Sequence, residues 1–183
     1  MSIDEPDREI LALQIGRPLR ATSTVLKRCS LGLPVVADVP PLLDTGEPFP
    51  TLYWLTCPLA HRRIARIEAE GGVRAEQARI DANPSLSEAL KVRHDGYARA
   101  RDARLPADAP LRPSGGVGGS SGGVKCLHAH YADFAAGNDN PVGRHVHESI
   151  GEPDCALPCV VIIDGQPKRN PDWREPNHDD EPR

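Results

Sequence analysis

The sequence predicts an α+β fold, a single domain in which a small antiparallel or mixed sheet is covered by three or four helices. Short β-branched and apolar segments predict strands. Longer segments with apolar residues at helical spacing predict helices. One late apolar segment, Pro158 to Ile163, has no later strand to pair with. We therefore expect it to join the N-terminal sheet, so that residues 1–165 form one domain, which is long enough for a hydrophobic core.

Four segments are predicted as strands of this sheet. Gly32 lies in a turn between the first two strands, which indicates a hairpin. The third strand contains Tyr53 and Trp54 and closely follows Phe49, so three of the chain's few aromatic residues fall together. We expect this strand at the centre of the core. The predicted strands are 21–29, 34–39, 50–56 and 158–164.

Four segments carry the signals of helix starts and ends. Asp4 can cap the first helix, and Pro58 suits the first position of the second because an N–H there would have no helical partner. Ser85 and Glu88 have capping-box spacing in the third helix, and Gly137 ends the fourth. The predicted helices are 4–15, 58–70, 84–103 and 124–136, with a long Gly- and Pro-rich loop at about 104–123 and a disordered tail over 166–183.

The composition excludes several classes of function. The net charge of −4 disfavours a nucleic-acid binder, which needs a surplus of Lys and Arg to neutralise phosphates. No apolar run approaches the roughly 18 residues of a membrane helix. The acidic N-terminus also lacks the hydrophobic region of a signal peptide. We therefore expect a cytoplasmic protein, in which the five cysteines are reduced.

A glycine-rich segment precedes the fourth predicted helix and suggests an anion site. Backbone N–H groups of Gly122 and Gly123 could cradle a small anionic ligand, and Lys125 would add a positive charge. The segment is not a phosphate-binding P-loop, because Cys126 follows the lysine where that motif has Ser or Thr. A flexible lid or linker without a ligand is the alternative.

Cys126 and His130 have the spacing of half a metal site. Residues four apart share one face of a helix, and Asp133 could orient the imidazole. A tetrahedral zinc ion would need two more ligands. Candidates for these are Cys57, Cys29 and Cys159. The spacing of Cys155 and Cys159 is only a loose match to a metal motif.

The same residues allow chemistry at an activated thiol. Cys126 lies at a predicted helix start beside Lys125, and His128 or His130 could act as its base. Cys57 also lies at a helix start, where the dipole could lower its pKa. Packing of these small side chains in the core is the alternative for both cysteines.

Several motifs resemble a bacterial family known as domain of unknown function 501. The two longest are PFPTLYWLTCP (Pro48–Pro58) and GGVKCLHAHYADFAAGNDNPVG (Gly122–Gly143). Shorter similar segments are Arg28–Val36 and Ile64–Gly72, and the likeness spans roughly Ile10 to Ile150. The resemblance implies a small cytoplasmic bacterial protein, often encoded near a septum-formation initiator protein and an exopolyphosphatase-like enzyme. It implies no established activity or cofactor.

The family pattern also points to particular residues. It maps onto Lys125, Cys126 and His128, and onto Asn140 with the following Pro141. This favours His128 as the functional histidine, whereas the helical spacing to Cys126 favours His130. The segment from Glu152 onward departs from the family pattern, and the resemblance gives its two cysteines no role.

Our first hypothesis is a small polar pocket beneath the glycine loop that binds an anionic ligand or a metal. Cys57, Lys125, Cys126 and His128 would line it, which requires two helix starts to meet in space. A non-enzymatic module for a protein partner, linked to cell division, is the second hypothesis. A thiol-dependent enzyme with Cys126 and His128 as catalytic residues is the third.

Overall fold

The computed structural model describes residues 5–176 and confirms a single α+β domain, with six α-helices and two small antiparallel sheets in this part of the chain. The elements are α1 (Glu5–Ile15), β1 (Thr24–Arg28), β2 (Pro34–Asp38), β3 (Tyr53–Leu55), α2 (Pro58–Ala69), α3 (Gly72–Asp81), α4 (Pro84–Asp102), a 3-10 turn (Val117–Gly119), α5 (Leu127–Ala135), α6 (Pro141–Ile150), β4 (Val160–Ile163) and β5 (Gln166–Arg169). None of the described helices is long and apolar enough to cross a membrane.

The first sheet has the order β1-β2-β3, with antiparallel neighbours. The middle strand, β2, is buried over its first four residues, and its Val36 lies opposite Leu55 of β3. The main core forms where this sheet meets the helices, and it includes Leu59 and Ile64 of α2 and Leu127 of α5. β3 therefore lies directly beside the helix that follows the glycine-rich segment.

The prediction that residues 158–164 join this sheet is wrong. β4 pairs instead with β5 in a separate two-stranded sheet, in the register Val160 to Arg169. Asp164 and Gly165 both have positive φ, 53° and 76°. Two such residues form the tight hairpin loop that reverses a strand onto the segment that follows it. The Asp164-Gly165 turn thus brings residues that we had assigned to the tail alongside β4, where they form its partner strand.

The predicted disordered tail over 166–183 consequently begins too early. Residues 166–169 form β5, and Trp173 packs against the main core. The guanidinium of Arg62 lies over the Trp173 ring, 4.9 Å from its centroid. Residues 177–183 lie outside the described part of the chain.

Two of the six helices, α3 and α6, were not predicted. Gly71 has φ of 90° and ends α2 as a C-terminal glycine should, but the chain continues as α3 at once. Asn140 and Pro141 begin α6 in the same way that Asn83 and Pro84 begin α4. Each asparagine accepts hydrogen bonds from two backbone N–H groups of the first turn.

The packing of α6 on α5 depends on Gly143. A Cβ atom at this position would lie 2.2 Å from the His130 carbonyl oxygen and 2.5 Å from the Phe134 Cβ. Only glycine lets the two helices approach this closely. Gly96 of α4 differs, because a Cβ there would meet nothing closer than 3.8 Å.

We expect Gly143→Ala and Gly96→Ala to change stability in opposite directions. The first forces α5 and α6 apart and should cost about 1–3 kcal/mol or more. The second replaces a helical glycine without a clash and should stabilise by roughly 1 kcal/mol. Urea unfolding of both variants measures this. Equal effects of the two changes would contradict the close approach at Gly143.

Candidate functional site

Glu68, Cys126 and His128 form the only group of three or more metal-ligating residues in the described chain whose ligand atoms all lie within 4.8 Å of one another. Glu68 comes from the last turn of α2, and the other two come from the start of α5. The His128 Nδ1 is 3.3 Å from Glu68 Oε2 and 3.9 Å from the Cys126 sulfur. We call these three residues the ECH site. All of them are half-buried.

The ECH site forms because the first N–H groups of a helix lack helical partners. Leu127 is the first residue of α5, and its N–H donates to Glu68 Oε1 at 2.6 Å. The carboxylate thus caps the helix from outside its own sequence. Cys126 occupies the N-cap position with extended backbone and makes no side-chain capping bond. The capping oxygen of Glu68 is therefore Oε1, while Oε2 faces the imidazole.

The backbone of α2 fixes the tautomer of His128. Its Nε2 lies 3.1 Å from the carbonyl oxygen of His61, which can only accept a hydrogen bond. Nε2 must therefore carry a hydrogen, and in the neutral ring Nδ1 carries a lone pair. That lone pair faces the Glu68 carboxylate. A metal ion could bridge Nδ1 and the carboxylate at this distance, and the Cys126 sulfur lies within reach of the same Nδ1.

A pocket of about 290 Å³ opens beside the ECH site. The side chains of Cys126 and His128 line one part of it, and His61 lies next to them. The His61 and His128 ring centroids are 4.4 Å apart. Burial, and then the neighbouring His128, lowers the pKa of His61. The remaining lining residues are Thr51, Tyr53, Trp54, Leu55 and Ala129, so the TLYWLT segment supplies the apolar wall.

Cys57 is not part of this group. It lies in the main core, 6 % exposed, at the opposite end of α2 from Glu68. Cys57 and Glu68 are eleven residues apart, which corresponds to roughly 16 Å along the helix axis. Burial raises the pKa of Cys57 to about 12, against the smaller opposing effect of the Ala60 and Leu59 N–H groups. The expected lowering of its pKa is therefore reversed, because loss of hydration outweighs the helix start.

Cys126 is affected in the same direction. Burial raises the pKa of its thiol, and the Ala129 and His128 N–H groups act against this effect. The nearby Glu68 carboxylate raises it further. Since the thiolate is the reactive form, these surroundings do not favour the free nucleophile of the thiol-dependent hypothesis. A metal ion would change this balance, because a coordinated thiol loses its proton.

His130 and Asn140 lie elsewhere, in a buried polar network between α4, α5 and α6. Asn140 donates through Nδ2 to His130 Nδ1 at 3.0 Å and to Asp133 Oδ2 at 2.8 Å. Arg93 lies 2.9 Å from the same Asp133 oxygen. Burial lowers the pKa of His130 to about 4, which keeps its ring neutral. The structure thus places His128, and not His130, beside Cys126.

The glycine-rich segment is attached to α4 rather than forming a free lid. His94 Nδ1 accepts from the Val117 N–H at 3.0 Å, and His94 Nε2 donates to the Gly123 carbonyl at 3.1 Å. The buried Arg101 donates to the carbonyls of Ser114 and Gly115. These contacts anchor the segment at several separate points.

The predicted anion-binding residues are dispersed by this arrangement. Gly122 and Gly123 line a separate pocket of about 660 Å³ together with His94 and Arg101. Lys125 is exposed and lines neither this pocket nor the one at the ECH site. Asn140 is fully buried, and its side-chain oxygen caps α6.

Glu68 and His61 were missed by the sequence analysis. They precede Cys126 by about 60 residues in the chain, so no local spacing connects them to it. The one available signal was that Glu68 lies within the segment Ile64–Gly72, which shares the family resemblance. A short-range motif can identify Cys126 and His128, but the third member of the site depends on how α2 packs against α5.

The comparisons with known proteins agree with the resemblance noted from the motifs. The model of a family described as "Protein of unknown function (DUF501)" matches residues 25–148. This range includes all three residues of the ECH site. No curated protein and no solved structure matches the chain.

Asn140→Ala tests whether this residue is structural. The change removes a cap, which costs about 1 kcal/mol, and it leaves His130 and Asp133 without their shared donor, which adds about 1–3 kcal/mol. Asn83→Ala is the matched control, because Asn83 caps α4 in the same way but is exposed. We expect a clearly larger loss of unfolding free energy for the first variant. Similar losses would show that the buried network adds no stability.

Proposed function

Because the chain belongs to the DUF501 family of unknown function, we propose its function from the geometry of the ECH site. The protein binds a zinc ion through Glu68, Cys126 and His128 and uses it to hydrolyse a small, largely uncharged substrate. The observation that carries this proposal is that the ligand atoms of Glu68, Cys126 and His128 all lie within 4.8 Å of one another.

The distances between the three ligand atoms suit a single zinc ion. Zinc binds sulfur at about 2.3 Å and imidazole nitrogen or carboxylate oxygen at about 2.0–2.2 Å, in a tetrahedral shell. Two ligand atoms of such a shell lie about 3.3–3.6 Å apart by simple geometry. The distances from Nδ1 to Oε2 and to the sulfur, 3.3 Å and 3.9 Å, are close to these values. Small side-chain shifts would complete the fit.

The surrounding hydrogen bonds also support a metal site. A histidine that binds a metal usually donates its other N–H to a carbonyl or carboxylate, which fixes the ring. His128 has this arrangement with the His61 carbonyl. Glu68 is held through Oε1 by the Leu127 N–H, so that Oε2 remains for the metal. Both ligands are thus oriented before an ion binds.

Three protein ligands leave the fourth position of a tetrahedral zinc ion for water. Sites with this ligand number are typical of catalysis, and the bound water has a pKa near 7. The adjacent pocket lets a substrate approach, and its Tyr53, Trp54 and Leu55 wall favours an apolar group. The lowered pKa of His61 keeps its ring neutral near pH 7, so it can accept a proton from the attacking water.

Zinc affinity tests the ligand assignment. We expect Glu68→Gln, Cys126→Ser and His128→Gln each to weaken zinc binding at least about 100-fold, since even a supporting residue contributes 10- to 100-fold. His145→Gln is the matched control, because His145 contacts the buried Glu76 and belongs to no group of three ligand residues in the described chain. Competition with a chromogenic chelator measures the affinities. Zinc binding that is absent in the unaltered protein, or equal in all four variants, contradicts the proposal.

His61→Gln separates the reaction from metal binding. The His61 side chain is not among the three ligands, so zinc affinity should remain unchanged. Loss of the proton acceptor should lower kcat by about 100-fold or more. Zinc-dependent hydrolysis of 4-nitrophenyl acetate, followed from pH 5 to 9, provides the assay. If the zinc-loaded protein binds the metal but shows no hydrolysis, the catalytic part of the proposal is wrong and the metal site stands.

A further inference from the structure

Two adjoining cavities lie between α1 and the hairpin of β4 and β5. The larger cavity, of about 610 Å³, is lined by Arg8 of α1, by Arg17 just after this helix and by Arg169 of β5. The smaller cavity, of about 190 Å³, is lined by Arg62 of α2 and again by Arg169. Leu13 also lines both cavities, so they share one wall. We call the two cavities together the arginine cleft.

The arginine cleft carries a surplus of positive charge in a chain whose net charge is −4. Its four guanidinium groups are accompanied by one acidic residue, Glu9, among the described lining residues, which leaves three positive charges in surplus. None of the four arginines forms an ion pair with a carboxylate in the described part of the chain. Two carboxylates close to them in sequence, Asp7 and Glu175, pair instead with Arg28 and Arg66.

Two of these guanidinium groups are held by aromatic rings. The Arg17 guanidinium lies over the Trp54 ring, 5.5 Å from its centroid. The Arg62 guanidinium lies in the same way over Trp173, at 4.9 Å. A cation–π contact positions the charge without needing the N–H groups as hydrogen-bond donors. Since neither side chain donates a hydrogen bond to a described residue, whereas the adjacent Arg63 does, these donors remain for a ligand.

The guanidinium of Arg169 is held by the backbone of α1. Its Nε and Nη2 atoms donate to the Leu13 carbonyl oxygen in the last turn of that helix, at 3.1 Å and 2.8 Å. Arginine has five N–H donors, so these bonds leave part of the group for another acceptor. Pro58, the first residue of α2, also lines the smaller cavity, where the positive end of this helix dipole favours an anion.

A small molecule with two phosphate groups matches this arrangement. Arginine suits phosphate because its paired N–H groups can bind two oxygens at once. Two phosphate groups carry a charge of roughly −3 to −4 at pH 7, which is close to the surplus positive charge of the cleft. The two cavities meet at Arg169. Each phosphate can therefore contact the arginines of one cavity while Arg169 lies between them.

We propose that the arginine cleft binds a small bisphosphate, with one phosphate group in each cavity. Arg8 and Arg17 contact the first phosphate, and Arg62 contacts the second. The cleft shares no residue with the ECH site. Three of its four arginines also lie outside residues 25–148, the range that the family model matches. The bisphosphate site is thus separate from the zinc site and is built largely from segments outside the family match.

Isothermal titration calorimetry of the full chain, without added zinc, tests this site. Fructose 1,6-bisphosphate is the probe, and fructose 6-phosphate is the matched control with one phosphate group. We expect the bisphosphate to bind at least about 10-fold more tightly, because the second phosphate adds hydrogen bonds between charged groups. Equal affinity for the two sugar phosphates, or no binding of either, would overturn the proposal.

Variants of single arginines test the two cavities separately. Arg8→Gln and Arg62→Gln should each weaken binding of the bisphosphate by about 10-fold or more, towards the affinity of the monophosphate. Arg99→Gln is the matched control, because Arg99 is also exposed and lines neither cavity. Circular dichroism verifies folding. An arginine whose glutamine variant fails to fold is changed to lysine, which keeps the charge but loses the two-oxygen contact and should also weaken binding.

The same titrations separate this proposal from that for the ECH site. Equal weakening in Arg99→Gln and in the two cleft variants would show a general effect of charge and would overturn the site. Binding that is lost in Cys126→Ser but unchanged in the cleft variants would also overturn it. Bisphosphate binding that persists in Cys126→Ser and falls in Arg62→Gln supports the cleft, whether or not the ECH site binds zinc.

Discussion

The contact between the Leu127 N–H and the Glu68 carboxylate organises the centre of the molecule. The start of α5 has unpaired N–H groups, and Cys126 in the N-cap position does not satisfy them with its side chain. The acceptor must come from another element, so α5 has to pack with its first turn against the end of α2. This packing brings His128 onto the His61 carbonyl and Cys126 beside Glu68. The arrangement of candidate ligands is a consequence of capping one helix.

The buried network around Asp133 holds the other end of α5 and explains why the first turn stays in place. Asp133 has no exposure, and its carboxylate is paired with Arg93 of α4 and accepts a hydrogen bond from Asn140 at the start of α6. A buried carboxylate that lost these partners would be costly, so the three helices are tied together. On the same α4, His94 and Arg101 hold the glycine-rich segment. The segment is therefore part of the scaffold, and its glycines serve close backbone approach at positions such as Gly116, where a Cβ would lie 2.3 Å from His94.

The sequence predicts those parts of the structure that depend on neighbouring residues. The starts of α2 at Pro58 and of α4 at Pro84 follow from helix-start signals, and the strands on either side of Gly32 follow from β-branched residues and a glycine turn. β5 was not predicted, because Asp164-Gly165 was interpreted as the end of a strand and not as a hairpin turn. Cys126 and His128 belong to one short motif, whereas the position of Glu68 beside them depends on tertiary packing that no local pattern encodes. Nothing among the described contacts bears on a protein partner, on cell division or on cellular location, and these stay predictions.

The rigidity of α2 explains why Cys57 cannot belong to the same pocket as Glu68. Cys57 precedes the helix and Glu68 lies in its last turn, so roughly 16 Å of helix separates a soft sulfur ligand from a hard carboxylate. A single ion cannot use both. The Glu68 end offers one carboxylate, one thiol and one imidazole, the mixed set that suits zinc, whereas Cys57 lies in the hydrophobic core. Because α2 is one continuous helix, Cys57 and Glu68 keep a fixed separation, and the proposed ligands at the Glu68 end can be altered without moving Cys57.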